Sequence, residues 1–115
     1  HADILSDLAA ALAGSIGVAP TANLNPERTS PSMFEPIHGS AFDITGKGIA
    51  NPVATFWSAS MMLDHIGETV AAVRLMDAIE VITANPDFHT PDLGGTATTD
   101  QVTAAIIDVI RARNN

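Results

Sequence analysis

The most distinctive stretch of this chain, residues 34–52, reads FEPIHGSAFDITGKGIANP. Its glycines permit backbone conformations and close ligand approaches that other residues resist. The stretch ends in Asn51-Pro52, where asparagine can accept from unpaired helix amides and proline suits a first helical position. The pattern predicts an ordered loop over residues 39–50 and then a helix that ends near Ile66.

Regular patterns lie on both sides of this loop. Residues 3–13 carry apolar side chains at helical spacing, whereas residues 17–38 interleave apolar residues with prolines, which is typical of short strands and turns. A further helix is predicted over residues 69–84, and a last one begins near Thr98-x-x-Gln101, a capping-box pattern. The sequence therefore predicts a helix-rich α/β fold with a few short strands.

The helix after Asn51-Pro52 has large apolar residues nearly all round, so burial on several sides is predicted. Trp57, Met61 and Met62 are accordingly interpreted as core residues rather than a cofactor box. His65 and His89 have no acidic partners at metal-ligand spacing, and neither is assigned a function.

Composition limits the class of protein. The 115 residues are 46% hydrophobic, enough for one domain with a real core. Thirteen acidic against five basic side chains give a charge of −8, which argues against nucleic acid or an anionic membrane as partner and favours a cation. The absence of cysteine excludes disulfides and thiolate metal sites and permits a reducing compartment. No apolar run is long enough to span a bilayer.

Asp3 and Asp7 form the first candidate site. Carboxylates four residues apart lie on one helix face, about 5 to 6 Å apart at Cβ. Oxygen ligands favour Mg²⁺ or Mn²⁺ over zinc. The alternative is that both residues are solvated and only complement the dipole at the start of a helix.

The loop is the second candidate site. Ser40 and Asn51 can hydrogen-bond, Asp43 could accept from a vicinal diol such as a ribose, and His38 offers a flat face for a base. The pattern is not G-x-G-x-x-G, so a Rossmann nucleotide fold is not indicated. The alternative is a tight surface loop held by side-chain to backbone bonds, in which His38 is structural.

The loop motif, together with Asp-Ile-Leu-Ser-Asp at 3–7, Met-Met-Leu-Asp-His at 61–65 and Thr-Pro-Asp-Leu-Gly-Gly at 90–95, resembles the isocitrate and isopropylmalate dehydrogenase family. The resemblance covers essentially the whole chain. Asn-Leu-Asn-Pro-Glu-Arg at 23–28 is more similar to the tartrate and D-malate branch than to the isopropylmalate branch. The resemblance to the family implies that residues 1–16 are the end of the small dimerisation and metal domain. It also implies that residues 17–115 are the C-terminal half of the large NAD-binding domain.

The resemblance also implies roles for single residues. Asp3 and Asp7 would be metal ligands, with a third carboxylate from the partner subunit of a homodimer. The cofactor-binding residues would be Glu35 near the nicotinamide end, His38, Gly39, Ser40 and Ala41 as the adenosine loop, Asp43 on the ribose with Ile44 completing an NAD-type pair, and Asn51 beside adenine. A carboxylate at Asp43 would repel the 2′-phosphate of NADP. Phe42 departs from the proline usual in the family.

The reaction implied is NAD-linked, Mg²⁺- or Mn²⁺-dependent oxidation of a small 2-hydroxy acid, tartrate or D-malate, followed in many members by decarboxylation. The resemblance implies that the acid–base tyrosine and lysine lie upstream of this stretch, and independently this chain has no tyrosine and only one lysine, Lys47. We therefore expect a C-terminal part of a longer cytoplasmic enzyme, inactive alone. The alternatives are a part of an isopropylmalate dehydrogenase and a non-catalytic dimerisation module; the retained carboxylates favour the enzyme.

Overall fold

The computed structural model describes Gly17 and residues 20–113. The first elements are two short antiparallel strands, β1 at Pro20–Asn23 and β2 at Met33–Pro36, in a register that pairs Pro20 with Pro36. Between them, the Asn25 side chain donates to the Ser30 carbonyl oxygen at 3.1 Å and braces the connecting loop. The prediction of short strands and turns is confirmed.

Three α-helices follow in the described part of the chain: α1 at Val53–His65, α2 at Thr69–Thr83 and α3 at Thr99–Arg113. The hairpin packs on α1, α1 packs on α2, and α2 packs on α3. This order buries one hydrophobic core between the helices. Its members are Val53, Trp57, Met76, Ala78, Ile79, Ile82, Ala97, Val102 and Ile106.

Helix α1 begins one residue later than expected. We predicted Asn51 as N-cap with Pro52 in the first turn, but the Pro52 carbonyl accepts the first helical bond, from Phe56 N at 3.1 Å, so Pro52 itself is the N-cap. The Asn51 side chain still accepts from the Val53 amide at 3.0 Å, which is the interaction that the sequence predicted. The shift is small because both residues contribute to the same helix start.

Burial of α1 on several sides is largely confirmed. Val53, Ala54 and Trp57 are buried together with Ser58 and Ser60, and the Ser60 hydroxyl donates to the Ala72 carbonyl of α2 at 2.8 Å. Trp57 and Met61 belong to or pack against the core, as predicted. Met62 does not, since it is 42% exposed.

The connection from α2 to α3 consists of two 3-10 turns, Pro86–Phe88 and Pro91–Leu93, followed by Gly94-Gly95. A Cβ atom at Gly95 would lie 1.9 Å from the His89 carbonyl oxygen, so only glycine fits there. Helix α3 then starts in the predicted capping box: Thr98 N donates to Gln101 Oε1 at 2.9 Å, and Gln101 N donates to Thr98 Oγ1 at 3.1 Å.

The helices of the described chain are too short or too polar to cross a membrane.

Candidate functional site

The loop between β2 and α1, residues 38–51, is folded by its own backbone. Ala41 adopts a left-handed conformation (φ 46°, ψ 54°) and precedes a 3-10 turn at Phe42–Ile44. The Ile44 amide donates to the Ala41 carbonyl at 3.0 Å, and the Lys47 amide donates to the Ile44 carbonyl at 3.1 Å. The prediction of an ordered loop is therefore confirmed.

The first half of the loop presents its polar groups to solvent. Ser40 and Asp43 are exposed, and Phe42 is 84% exposed. His38 Nδ1 lies 2.9 Å from the Gly39 carbonyl oxygen. Because a carbonyl only accepts, Nδ1 is the donor in this contact. This side-chain to backbone bond agrees with the alternative in which His38 has a structural role in a surface loop. The exposed Asp43 carboxylate agrees with the other interpretation, because it is free to accept from the two hydroxyls of a ribose.

The second half of the loop is tied to the start of α3. The Thr99 amide donates to the Gly48 carbonyl at 2.9 Å, and the Thr99 hydroxyl donates to the Ala50 carbonyl at 2.5 Å. These bonds join residues about fifty positions apart in the chain. One threonine of the last helix thus fixes the backbone that leads into Asn51.

Asn51 lies at the end of the loop and is only 8% exposed. Its Nδ2 donates to Asp92 Oδ2 at 3.1 Å, and the Thr90 hydroxyl donates to Asp92 Oδ1. Thr90 is 1% exposed whereas Asp92 is exposed, so the network joins two buried side chains through a carboxylate at the surface. Sequence reasoning missed the role of Asp92 and Thr90, because local patterns carry no information about a contact across 41 positions. In the sequence both residues belonged only to the Thr-Pro-Asp-Leu-Gly-Gly motif that resembles the family, and neither was given a role.

The remaining site residues lie elsewhere. Glu35 is exposed on β2 opposite Thr21. Asp3 and Asp7, the predicted metal ligands, lie outside the described residues, and residues 20–113 contain no cluster of three His, Asp or Glu side chains able to hold a metal ion.

The two histidines that were assigned no function make structural contacts. His65 Nε2 is 3.3 Å from Ser32 Oγ, and its ring centroid lies 5.5 Å from that of Phe34. His89 Nε2 is 2.8 Å from the Thr83 carbonyl oxygen, so it carries the proton there. These contacts hold the hairpin and the 3-10 turns against the helices.

A cavity of about 270 Å³ lies between the hairpin and helices α1 and α2, lined chiefly by Leu24, Phe34, Trp57, Met61 and Met76. Residues 38–51 do not line it. The cavity is therefore separate from the loop, and the candidate site is the loop surface itself.

The comparisons with known proteins agree with the loop motif. A family model described as isocitrate/isopropylmalate dehydrogenase matches residues 1–110. The chain is 69% identical over 114 residues to a probable tartrate dehydrogenase/decarboxylase of Agrobacterium vitis, covering 99% of this chain and 32% of that relative. It is 55% identical over 113 residues to the decarboxylating D-malate dehydrogenase of Escherichia coli strain K12, covering 94% of this chain and 31% of the relative. The chain thus spans about a third of the length of these relatives.

Solved structures show the same fold. A β-decarboxylating dehydrogenase from Thermococcus kodakarensis in its apo form matches with a TM-score of 0.79 and 44% identity, over 96% of this chain and 31% of that one. An isocitrate dehydrogenase from Methylococcus capsulatus matches with a TM-score of 0.79 and 44% identity, over 95% of this chain and 32% of that one. The predicted fold class, a helix-rich part of this α/β fold, is confirmed.

Proposed function

The chain belongs to the isocitrate/isopropylmalate dehydrogenase family. We propose that its complete gene product oxidises tartrate or D-malate, with decarboxylation, using NAD and Mg²⁺ or Mn²⁺. The observation that carries the substrate proposal is the 69% identity to a probable tartrate dehydrogenase/decarboxylase and the 55% identity to a D-malate dehydrogenase. These relatives favour this branch over the isopropylmalate alternative.

Residues 38–51 would bind the adenosine end of NAD. Asp43 places an exposed carboxylate on the 3-10 turn Phe42–Ile44, where it can accept from both ribose hydroxyls. Asn51 stands at the anchored end of the same loop and keeps hydrogen-bonding capacity for a base. The same carboxylate would repel a 2′-phosphate, so the loop favours NAD over NADP. Glu35 would lie toward the nicotinamide end.

The metal site is proposed on the spacing of Asp3 and Asp7, with a third carboxylate from the partner subunit of a homodimer. NAD would supply the hydride acceptor, and a divalent metal held by Asp3 and Asp7 would supply a Lewis acid. Residues 1–16 would end the small domain and residues 17–115 would form half of the large one. The acid–base tyrosine and lysine that the family resemblance implies would lie outside this chain, whose sequence has no tyrosine and a single lysine, Lys47. A cytoplasmic location is part of the same proposal.

A substrate panel tests this proposal. The complete gene product is assayed with tartrate, D-malate, isocitrate and 3-isopropylmalate, each with NAD⁺ or NADP⁺ in the presence of Mn²⁺. We expect the highest kcat/KM with tartrate or D-malate and NAD⁺. A preference for isopropylmalate would overturn the substrate assignment, and a preference for NADP⁺ would overturn the proposed role of Asp43.

A further inference from the structure

We propose that Asp92 is a positioning residue that fixes the orientation of the Asn51 carboxamide, and that through Asn51 it makes the site selective for adenine over a 6-oxopurine. The inference rests on the proposed function, because it takes Asn51 as the residue that contacts the base. To that function it adds a role for Asp92, which lies 41 positions from Asn51 in the chain, in the selectivity of the site for the base.

The two bonds of Asn51 leave its amide only one orientation. A carboxylate accepts and cannot donate, so the atom 3.1 Å from Asp92 Oδ2 must be the amide nitrogen. A backbone amide donates and cannot accept, so the atom 3.0 Å from Val53 N must be the amide oxygen. In a flipped carboxamide, the amide nitrogen would face the Val53 N–H, donor against donor, and the amide oxygen would face Asp92 Oδ2, acceptor against acceptor. Both contacts are costly for a residue that is only 8% exposed.

Asp92 is itself held in place. The Thr90 hydroxyl donates to its other oxygen, and Thr90, which directly precedes the 3-10 turn Pro91–Leu93, is 1% exposed. The turn begins with proline, whose fixed φ limits the movement of the backbone next to Asp92. Asp92 is exposed, so the Thr90 hydroxyl and the turn, rather than burial, hold the carboxylate that accepts from Asn51.

The fixed orientation has a chemical consequence. Asn51 uses one of its two Nδ2 hydrogens and one of its two Oδ1 lone pairs internally, so one donor and one acceptor remain for a ligand. Adenine offers the complement, since its 6-amino group donates and a neighbouring ring nitrogen accepts. In hypoxanthine a carbonyl replaces the amino group, so an oxygen would face Asn51 Oδ1. A carboxamide free to flip would accept either base.

The test compares NAD⁺ with nicotinamide hypoxanthine dinucleotide as substrates for the complete gene product. We expect the unsubstituted protein to favour NAD⁺ in kcat/KM on the order of tenfold or more. Asp92→Asn keeps the volume but can face Asn51 with either an oxygen or an amino group. We expect it to lower this preference several-fold, mainly through KM, with kcat little changed.

Asp87→Asn is the matched control, because Asp87 is exposed on the preceding 3-10 turn, Pro86–Phe88; its base preference should stay unchanged. An unchanged preference in folded Asp92→Asn, or equal use of both dinucleotides by the unsubstituted protein, overturns the inference but leaves NAD dependence intact. Absence of NAD⁺ reduction in the unsubstituted protein instead overturns the proposed function.

A second pair of variants decides the matter if Asp92→Asn does not fold. Thr90→Val removes the hydroxyl that holds Asp92 while keeping the shape of the side chain, and Thr90→Ser retains the hydroxyl. We expect Thr90→Val to lower the base preference and Thr90→Ser to preserve it. Equal preferences in the two variants contradict the positioning role.

Discussion

Asp43 is the residue on which cofactor choice depends in this proposal. It is exposed on a turn whose backbone is fixed by the bond from the Ile44 amide to the Ala41 carbonyl. Hydrogen bonds to a charged acceptor are worth roughly 1.5 to 3 kcal/mol each. We therefore expect Asp43→Ala to lower kcat/KM for NAD⁺ on the order of tenfold or more, as measured by initial rates of the complete gene product.

The charge-reversing variant extends this prediction. Asp43→Lys replaces a carboxylate that repels a 2′-phosphate with a cation that attracts it, so the ratio of NADP⁺ to NAD⁺ specificity constants should rise further than in Asp43→Ala. Asp87→Lys, at another exposed turn carboxylate, controls for net charge. If Asp43→Ala changes kcat/KM for NAD⁺ and for NADP⁺ no more than Asp87→Ala does, Asp43 does not bind the ribose and the assignment must be withdrawn.

Asp7 allows a separate test of the metal proposal. Asp7→Asn removes one ligand charge, so the affinity for Mn²⁺ should fall while the melting temperature without metal stays nearly unchanged. Calorimetric titration of the complete gene product with Mn²⁺ measures this. Unchanged affinity would favour the solvated-helix interpretation of Asp3 and Asp7.

Helix α3 contributes to the loop through its first residue. Thr99→Val removes the hydroxyl that donates to the Ala50 carbonyl. The hydrogen bond from the Thr99 backbone amide to the Gly48 carbonyl stays intact. We expect KM for NAD⁺ to rise a few-fold with kcat unchanged, because the loop loses one of its two anchors from α3. Thr103→Val, one turn further along α3, should leave KM unchanged; an equal rise in both variants would indicate a general effect on the helix.

Two consecutive isoleucines of α3, Ile106 and Ile107, differ in burial. Ile106 is fully buried and Ile107 is 39% exposed. Ile106→Ala should lower the free energy of unfolding by about 3 kcal/mol, because it removes buried methylene and methyl groups and leaves a cavity. Ile107→Ala should cost less than about 1 kcal/mol. Urea denaturation of both variants checks the difference, and similar losses would contradict the packing described for α3.

The elements that the sequence predicted well are those with local signals. The capping box at Thr98 and Gln101 marks the start of α3, and Asn85-Pro86 marks the end of α2. The left-handed Ala41 could not be predicted, because alanine rarely adopts positive φ without constraints from distant parts of the fold. The contact of Asn51 with Asp92 was missed for the same reason: its partners meet only once three helices have packed.

The chain spans about a third of the length of its relatives and carries only part of the proposed chemistry. In the proposal it would supply a loop for adenosine and two carboxylates for a metal, but its only lysine, Lys47, is exposed in the loop and it has no tyrosine. We expect residues 1–115 expressed alone to produce no NADH from tartrate or D-malate, while the complete gene product does. Absorbance at the NADH band measures both, and turnover by residues 1–115 would show that the acid–base groups lie within this chain.

Trp57 gives the chain a built-in optical reporter. It is the only tryptophan, no tyrosine accompanies it, and its indole is 8% exposed in the core with its N–H unpaired among the described residues. Emission excited in the near ultraviolet therefore comes from one chromophore in one apolar environment, and unfolding moves that chromophore into water. A red shift of a single band consequently follows the opening of the contact between α1 and α2, without any added label.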